Sequence, residues 1–314
     1  FCEITSLLGH KVRMKTTNQI IDELEELHRL NWRGPVAIVD DNFLGSKNEV
    51  KRNLLPSMKK WMQMHKFPFV FNIQSSINLA DDKELMSLMV ETGFTSTFIG
   101  IETPDEISLN SCNKVQNKNR DLLQSVKTIQ NTGLQVSGGF IVGFDSDTPS
   151  VFQRQIDFIQ KSGIVSAMVG LLNAPKHTQL YKRLKAEKRL TVESSGNNTD
   201  SSMNFIPKMN YNELMEGYRT IIQNIYAAKP YYKRVRQMFL NYHRKFKKEQ
   251  RVNFLLIIAF LKTMFIIGIV DKGRGEFWKL IFWTLLKRPG LFTEAITFAV
   301  YGYHFRKVYG LRQH

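Results

Sequence analysis

Polar and glycine residues that could bind a small ligand recur at five points of the chain, each at the end of a short apolar run. Carboxylate, amide and hydroxyl groups can hydrogen-bond a ligand there, and glycine lets a ligand approach the backbone. At any single point the same residues could instead form turns. Five such points together favour one binding site. They are Asp40-Asp41-Asn42-Phe43, Gln74-Ser75-Ser76, Gly100-Ile101-Glu102, the run from Gly138 to Asp145, and Leu172-Asn173-Ala174-Pro175.

Cysteine and histidine offer fewer possibilities. The chain has 2 cysteines, too few for a disulfide framework. Cys2 is a lone cysteine, more often a small buried apolar residue than a ligand. Cys112, in a polar stretch, is predicted to be structural or incidental, with substrate-side chemistry as the alternative. Neither a phosphate-binding G-x-x-x-x-G-K-[ST] loop nor a G-x-S-x-G hydrolase motif occurs. No zinc site is predicted, because paired spacing is missing from the histidines considered, His10, His28, His65 and His177.

A repeat of strand and helix would position the five polar points. β-branched runs alternate with amphipathic helical patterns through residues 1–190, about one strand every 30 residues. This rhythm indicates parallel strands in a doubly wound sheet or a TIM-type barrel, and both folds bind ligands at the carboxyl ends of the strands. The predicted strands are 35–40, 69–73, 97–101, 134–142 and 165–172.

Helix starts are predicted from capping boxes, in which Ser, Thr or Asp is followed three residues later by Glu or Gln. The helix that opens near Pro104 is predicted to continue to Gly133. The predicted boxes are Thr16 with Gln19, Ser46 with Glu49, Asp81 with Glu84, and Thr103 with Glu106.

Positive charge is concentrated in the C-terminal part of the 314-residue chain. Residues 229–314 hold 18 Lys and Arg against 4 Asp and Glu, whereas the first 228 residues hold 26 against 24. A hydrophobic content of 43% excludes a mainly disordered chain. A basic region attracts the phosphates of nucleic acid or anionic lipid, although it could also be a solvated surface.

Six segments, in this order and spacing, resemble a known enzyme family. They are FCEIT, WRGPVAIVDDNFLG, FNIQSS, FIGIETP, GGFIVGFDSD and LLNAPKHTQLY, and they are followed by the marks NFIPKM at 204–209 and GYR at 217–219. The family is the cobalamin-dependent radical S-adenosylmethionine (SAM) enzymes. The most similar subgroup ends in a C-terminal domain of unknown function, a layout shared with some hopanoid methylases.

The resemblance implies an α/β fold of defined layout. A partial radical SAM (βα)6-type, TIM-like barrel with about five parallel strands would be followed by an α-helical C-terminal region. The expected domains are a radical SAM core at 1–193, a polar linker at 194–202 and a basic helical domain at 203–314.

One position of this chain corresponds to a metal ligand of the family. Cys2 matches the third cysteine of the C-x-x-x-C-x-x-C loop, whose thiolates hold a [4Fe–4S] cluster while SAM chelates the open iron. The other matches are SAM contacts at strand ends. They are Asp41 and Asn42 at the SAM amino group, Gln74 and Ser76 at polar positions of the next strand, Glu102 at the ribose or methionine end, Gly139, Ile141 and Gly143 of a G-x-I-x-G pattern at the adenine, and Asn173 and Ala174 at a further adenine contact.

The sequence also departs from the family pattern. The first two cluster cysteines, the strand before them and the upstream cobalamin domain are missing, so we expect an N-terminally truncated fragment. We expect it to hold no stable cluster, to leave one barrel edge unpaired and to be inactive alone. Pro175-Lys176-His177-Thr178 stands where Pro-Gly-Thr is more usual.

The C-terminal region allows three arrangements. Residues 231–251 are basic with interleaved aromatics, and 254–270 are apolar except for Lys262 and Thr263. Basic flanks and tryptophans favour helices lying on an anionic membrane; a buried helical subdomain and a transmembrane span remain alternatives. Nucleic-acid binding by the basic, aromatic stretch is less favoured.

The resemblance implies reductive cleavage of SAM to a 5′-deoxyadenosyl radical and, with cobalamin, methylation of an unactivated carbon. It implies a small-molecule substrate and an electron donor such as flavodoxin or ferredoxin. The basic, apolar tail would suit a lipid substrate and a peripheral place at the inner face of the membrane, and the two cysteines favour a reducing, cytoplasmic compartment. The alternative is a non-catalytic, membrane- or RNA-associated α/β protein with a degenerate SAM fold.

Overall fold

The strands form one open parallel sheet. The computed structural model describes residues 3–9, 11–112, 114–192, 202–246 and 254–311. Among these residues a 5-stranded sheet has its strands side by side in chain order. The strands are β1 Pro35–Ile38, β2 Val70–Ser75, β3 Phe94–Glu102, β4 Gln135–Val142 and β5 Ala167–Leu171. The predicted partial barrel is therefore confirmed as a half-barrel, and the strand limits differ from the predicted ones by at most three residues.

Helices connect the strands and make up most of the C-terminal region. They are α1 Ile4–Leu8, α2 Thr17–Arg29, α3 Lys47–Glu49, α4 Leu55–Met64, α5 Lys83–Thr92, α6 Glu106–Ser111, α7 Leu122–Thr132, α8 Ser150–Ser162, α9 Gln179–Ala186, α10 Tyr211–Tyr226, α11 Ala228–Asn241, α12 Phe254–Phe265, α13 Arg274–Lys287 and α14 Phe292–Val308. A π-helical turn, Val50–Leu54, joins α3 to α4, and a second, Ile266–Val270, follows α12.

The two faces of the sheet are different. Side chains alternate along each strand, so one set points to each face. Phe71, Ile99 and Val136 belong to the buried set, which α5 and α7 cover. Residues of the other set, such as Gln74 and Met168, are exposed or half-buried. The half-barrel therefore keeps an open concave face.

The structure confirms one predicted capping box and corrects three. Thr16 and Gln19 cap α2 reciprocally. Ser46 makes no side-chain cap bond. The other two helices begin later, because an aspartate nearer the helix accepts a hydrogen bond from a free backbone amide in the first turn. Asp82, not Asp81, caps α5, and Asp105, not Thr103, caps α6.

The single helix predicted between Pro104 and Gly133 is wrong in its first half. The segment contains α6, a 3-10 turn at Val115–Asn117 and then α7. The predicted end is confirmed, because Gly133 terminates α7 in the left-handed region at φ 110°, where a side chain would be strained.

The C-terminal helices cover the outer edge of β5. The hydroxyl of Tyr226 donates to the carbonyl of Ala167 at 2.6 Å, and the guanidinium of Arg234 donates to Val165 at 3.2 Å. Arg234 is fully buried beside the rings of Tyr226 and Tyr231. Side chains rather than another strand therefore satisfy this edge.

The basic, aromatic stretch is mostly interior. Tyr231, Tyr232, Phe239 and Tyr242 are buried, because α13 and α14 pack on α11. These four rings are consequently not displayed for stacking on bases. The predicted linker, 194–202, lies outside the described residues except for Ser202.

The apolar helix α12 has a different environment. It has no buried residue, and Phe254 and Leu255 are 74% and 72% exposed. Across the described ranges, every helix is too short or too polar to cross a membrane.

Candidate functional site

The five carboxyl strand ends lie along one edge of the half-barrel, as the parallel pairing requires. In register, Gln74 pairs with Phe98, and Gly100 pairs with Gly139. Paired residues of parallel strands point to the same face, so the open face carries polar, glycine and apolar residues in neighbouring rows. We call this edge, with the adjoining open face, the strand-end site.

The ends of β1 and β2 are joined by a backbone hydrogen bond. The amide of Phe43 donates to the carbonyl of Gln74 at 3.0 Å. Asp41 and Asn42 precede this bond and are exposed, and the side chain of Asn42 accepts from the amide of Leu44 at 3.2 Å. The turn therefore fixes Asn42 while leaving Asp41 open to solvent.

Gln74 and Ser76 have different roles in the β2 segment. Gln74 is exposed on the open face. The hydroxyl of Ser76 donates to the side-chain oxygen of Asn78 at 2.6 Å, and its carbonyl accepts from Leu79 at 3.0 Å. Ser76 thus shapes the 3-10 turn Ile77–Asp81, whereas Gln74 faces the space where a ligand would lie.

Glu102 ends β3 in a tight turn. Its φ of 65° is in the left-handed region, and the amide of Thr103 donates to the carbonyl of Ile101 at 2.9 Å across it. Such strain in a residue other than glycine costs about 1–3 kcal/mol and tends to persist at functional sites. Glu102 as a whole is 7% exposed, and its carboxylate pairs with the Lys114 ammonium at 2.7 Å.

Two neighbours allow this turn. A Cβ on Gly100 would overlap the Glu102 carboxylate, so a side chain there would have to displace that carboxylate from its present position. The buried amide of Asn117 donates to the carbonyls of Gly100 and Ile101 at 3.1 and 2.9 Å. Neither Lys114 nor Asn117 belongs to a recognised sequence motif, so neither was predicted as a site residue, although both lie in the polar stretch around Cys112.

The glycine pattern of β4 divides into two parts. Gly139 and Ile141 lie on the open face, and a Cβ on Gly139 would meet the ring of Phe98 at 2.9 Å. Gly143 lies in the following turn at φ 102°. Its amide donates to a carboxylate oxygen of Asp147 at 2.8 Å. That amide is therefore already used within the fold.

The surroundings shift the pKa values of Asp147 and Asp145 in opposite directions. Burial raises the pKa of Asp147, and hydrogen bonds from Ser108 and two backbone amides only partly oppose it. Burial would also raise the pKa of Asp145, but Arg189 and Arg183 outweigh it and leave this pKa below its ordinary value.

Asn173 and Ala174 at the end of β5 are held by Asn204. The Asn204 side chain accepts from the Ala174 amide and donates to the Ala174 carbonyl, both at 2.8 Å. The backbone amide of Asn204 in turn donates to the side-chain oxygen of Asn173 at 3.1 Å. The sequence signal for Asn204 was its place in the NFIPKM mark.

The segment after Cys2 reaches the same edge. The hydroxyl of Ser6 in α1 donates to the carbonyl of His177 at 3.2 Å, just beyond β5. Val12 lies against Gly45, just beyond β1. Cys2 itself lies outside the described residues, so its predicted role as a cluster ligand stays a prediction.

SAM and an iron–sulfur cluster fit the described residues differently. Glycines, an exposed amide and a carboxylate at the strand-end site suit a nucleoside and an amino acid group. Among the described residues Cys112 is the one cysteine, and burial raises the pKa of its thiol. A [4Fe–4S] cluster would therefore need thiolates from elsewhere.

Comparison with known proteins shows that the chain is similar to proteins named as methyltransferases. A domain of unknown function (DUF4070) matches residues 178–313. An uncharacterized methyltransferase of Synechocystis sp. is 38% identical over 97% of this chain and 57% of its own length. The hopanoid C-2 methylase of Rhodopseudomonas palustris is 36% identical over 66% of this chain and 38% of its own length.

A solved structure shares the fold. The radical S-adenosylmethionine methyltransferase TsrM from Kitasatospora setae, solved with cobalamin and a [4Fe–4S] cluster, matches with a TM-score of 0.50 at 14% identity. The match covers 87% of this chain and 55% of TsrM. The chain thus spans only about half the length of such relatives.

Proposed function

Because the chain belongs to the cobalamin-type radical SAM family that carries this C-terminal domain of unknown function, we propose that its strand-end site binds SAM for methyl transfer. The observation that carries the proposal is the open concave face. The opposite face is buried under helices, whereas this one leaves Gln74 and Gly139 accessible beside Glu102.

In this proposal each strand end contributes one kind of contact. Glu102, held by Lys114, accepts hydrogen bonds from hydroxyl or amino groups of SAM. Gly139 makes room for the Phe98 ring, and the adenine would pack against that ring on the open face. The exposed turn at Asp41 and Asn42 offers carbonyls to the SAM amino group.

The described residues support SAM binding more directly than radical cleavage. A cluster in the family's manner would draw on Cys2 and on further thiolates outside the described part of the chain. Cobalamin and an electron donor are likewise proposed for the whole protein, as the comparisons with its longer relatives suggest.

The substrate class we propose is a membrane lipid. The relative named hopanoid C-2 methylase acts, by its name, on a hopanoid. In this chain the supporting feature is the α12 surface, which we define as α12 with the turn Ile266–Val270. Exposed apolar patches of this kind mark interaction sites in folded proteins. Its exposed large side chains are Phe254, Leu255, Leu256, Ile257, Phe260, Leu261, Phe265, Ile266, Ile269 and Val270.

Charge next to the α12 surface suits an anionic bilayer. Lys262, Lys272 and Arg274 are exposed on or just after it. A helix with apolar side chains and nearby cations lies in the interface of anionic membranes. The Trp278 indole donates to the carbonyl of Gly268 at 2.9 Å and so ties this surface to α13. We propose that the protein works from the membrane surface.

Calorimetric titration of the chain with SAM tests the first part of the proposal. We expect saturable binding that S-adenosylhomocysteine competes for. Gly139→Ala should weaken it about tenfold, because the added methyl group would displace the Phe98 ring from its place on the open face. Gly290→Ala, where nothing lies within 4 Å of the added Cβ, is the control. An absence of binding at millimolar SAM would favour the non-catalytic alternative.

Vesicle co-sedimentation tests the membrane part. We expect the chain to sediment with phosphatidylglycerol-containing vesicles, more at low salt than at high salt. Leu255→Glu combined with Leu261→Glu should reduce the bound fraction severalfold. Leu240→Glu, on the equally exposed outside of α11, should not. Equal sedimentation of both variants would contradict docking through the α12 surface.

A further inference from the structure

Three side chains that commonly ligate metals meet at the edge opposite the strand-end site. Glu25 and His28 lie on one face of α2, three residues apart, and His65 caps the end of α4. Both helices lead into strands, β1 and β2, so their C-terminal ends lie beside the amino ends of those strands.

The spacing of these groups is close to that of a metal coordination sphere. One possible ligand atom from each residue lies within 4.8 Å of the other two, and Glu25 Oε2 is 3.4 Å from His65 Nε2. Two ligands in a tetrahedral zinc site, each about 2.0–2.1 Å from the ion, are themselves about 3.4 Å apart. Small side-chain rotations would complete the sphere.

Trp61 orients two of the three groups from behind. The Nδ1 atom of His65 is 2.9 Å from the carbonyl oxygen of Trp61. Since a carbonyl only accepts, Nδ1 carries the hydrogen, and Nε2 is the ring nitrogen that faces Glu25. The Trp61 indole donates to Glu25 Oε2 at 2.8 Å and stacks on the His65 ring. Metal-binding histidines are typically fixed in this way.

An ordinary ion pair explains the cluster less well. An ion pair between Glu25 and His65 accounts for two of the three groups only, whereas the His28 ring is centred 4.6 Å from the His65 ring. Two imidazoles beside one carboxylate are a donor set that Zn²⁺ prefers.

We propose that Glu25, His28 and His65 bind a zinc-type divalent transition metal ion, with water from the exposed side as the fourth ligand. The ion would tie α2, whose one buried side chain among the described residues is Leu24, to the end of α4. The spacing of the histidines predicted no such site, because the ligands come from two helices that meet only in the fold.

Titration of the metal-free, untagged chain with Zn²⁺ tests the proposal. We expect one equivalent to bind with micromolar or tighter affinity and to raise the melting temperature. Co²⁺ should give the visible bands of a tetrahedral site. His65→Ala, His28→Ala and Glu25→Gln should each weaken binding at least tenfold, and His304→Ala, on the exposed face of α14, should not.

Two results would overturn the proposal. One is the absence of saturable Zn²⁺ binding to the folded parent chain. The other is binding that His28→Ala and Glu25→Gln leave unchanged. Glu25→Gln keeps the size of the side chain, so it remains informative if a histidine variant folds poorly. SAM titration of the same variants separates this site from the strand-end site, because SAM binding should not change.

Discussion

The Ser6 hydroxyl donates to the backbone carbonyl of His177, a residue that is 171 positions later in the chain. This bond brings the segment that follows Cys2 to the loop beyond β5. The same segment passes Gly45 beyond β1. Residues 6–12 therefore reach from one end of the strand-end site toward the other.

His177 itself leads to a stability prediction. Its φ is 70°, in the left-handed region that favours glycine. We expect His177→Gly to raise the free energy of unfolding by about 0.5–1 kcal/mol, because the left-handed conformation then costs less. Urea denaturation measures this change. His304→Gly, within α14, should lower stability by a similar amount; a loss of stability in His177→Gly would contradict the prediction.

Glu102→Gln should weaken SAM binding about tenfold while the chain stays folded. The substitution keeps the shape of the side chain but removes the charge that holds Lys114 at 2.7 Å and would accept from SAM. Calorimetric titration with SAM measures the change. The matched control is Glu106→Gln, an exposed residue at the start of α6. Equal affinities of the parent and Glu102→Gln for SAM would contradict a role of the Glu102 charge in SAM binding.

Asn204→Ala should lower the free energy of unfolding by about 1–3 kcal/mol. It leaves the Ala174 amide and carbonyl without their partner in a buried place, and burying unpaired polar groups costs about this much. Asn224→Ala removes a single bond to the Thr220 carbonyl on an exposed helix face and is the control. Chemical denaturation of both variants measures the two changes in the free energy of unfolding. Equal losses of stability would contradict the prediction that the Asn204 hydrogen bonds to Ala174 contribute more than an exposed side-chain bond.

Local sequence patterns predicted the strands and several helix ends because the forces involved act over a few residues. β-branched runs placed all five strands, and Gly133 marked a helix end that needs φ above zero. The capping errors at Asp81 and Thr103 are of the same local kind. Each has an alternative aspartate within two residues, and the geometry of the incoming loop decides between them.

Features that depend on distant partners were not predictable. The strained turn at Glu102 requires Asn117, which belongs to a later loop. The basic stretch gave no sign that Arg234 is buried among tyrosine rings and donates to Val165, just before β5. The Glu25, His28 and His65 cluster likewise forms only when α2 meets α4. In each case the contact that decides the outcome joins residues far apart in the chain.

Acid sensitivity at Asp145 follows from its two arginine partners. Arg189 contacts both carboxylate oxygens, at 2.6 and 3.0 Å, and Arg183 adds a contact at 3.0 Å. The folded-state pKa lies below the ordinary value of 3.8 despite burial. The unfolded chain therefore binds the proton first as pH falls. The stabilisation is fully present above about pH 4 and is lost as pH drops through the folded pKa.

Thermal unfolding followed by circular dichroism from about pH 7 to about pH 3 tests this prediction. Asp145→Asn should be less stable than the parent at neutral pH, and the difference should shrink at the acid end because the parent loses the same ion pairs. Asp157→Asn, an exposed change on α8, should follow the parent curve throughout. A constant difference between Asp145→Asn and the parent over the whole range would mean that packing, rather than the charge on Asp145, stabilises the loop after β4.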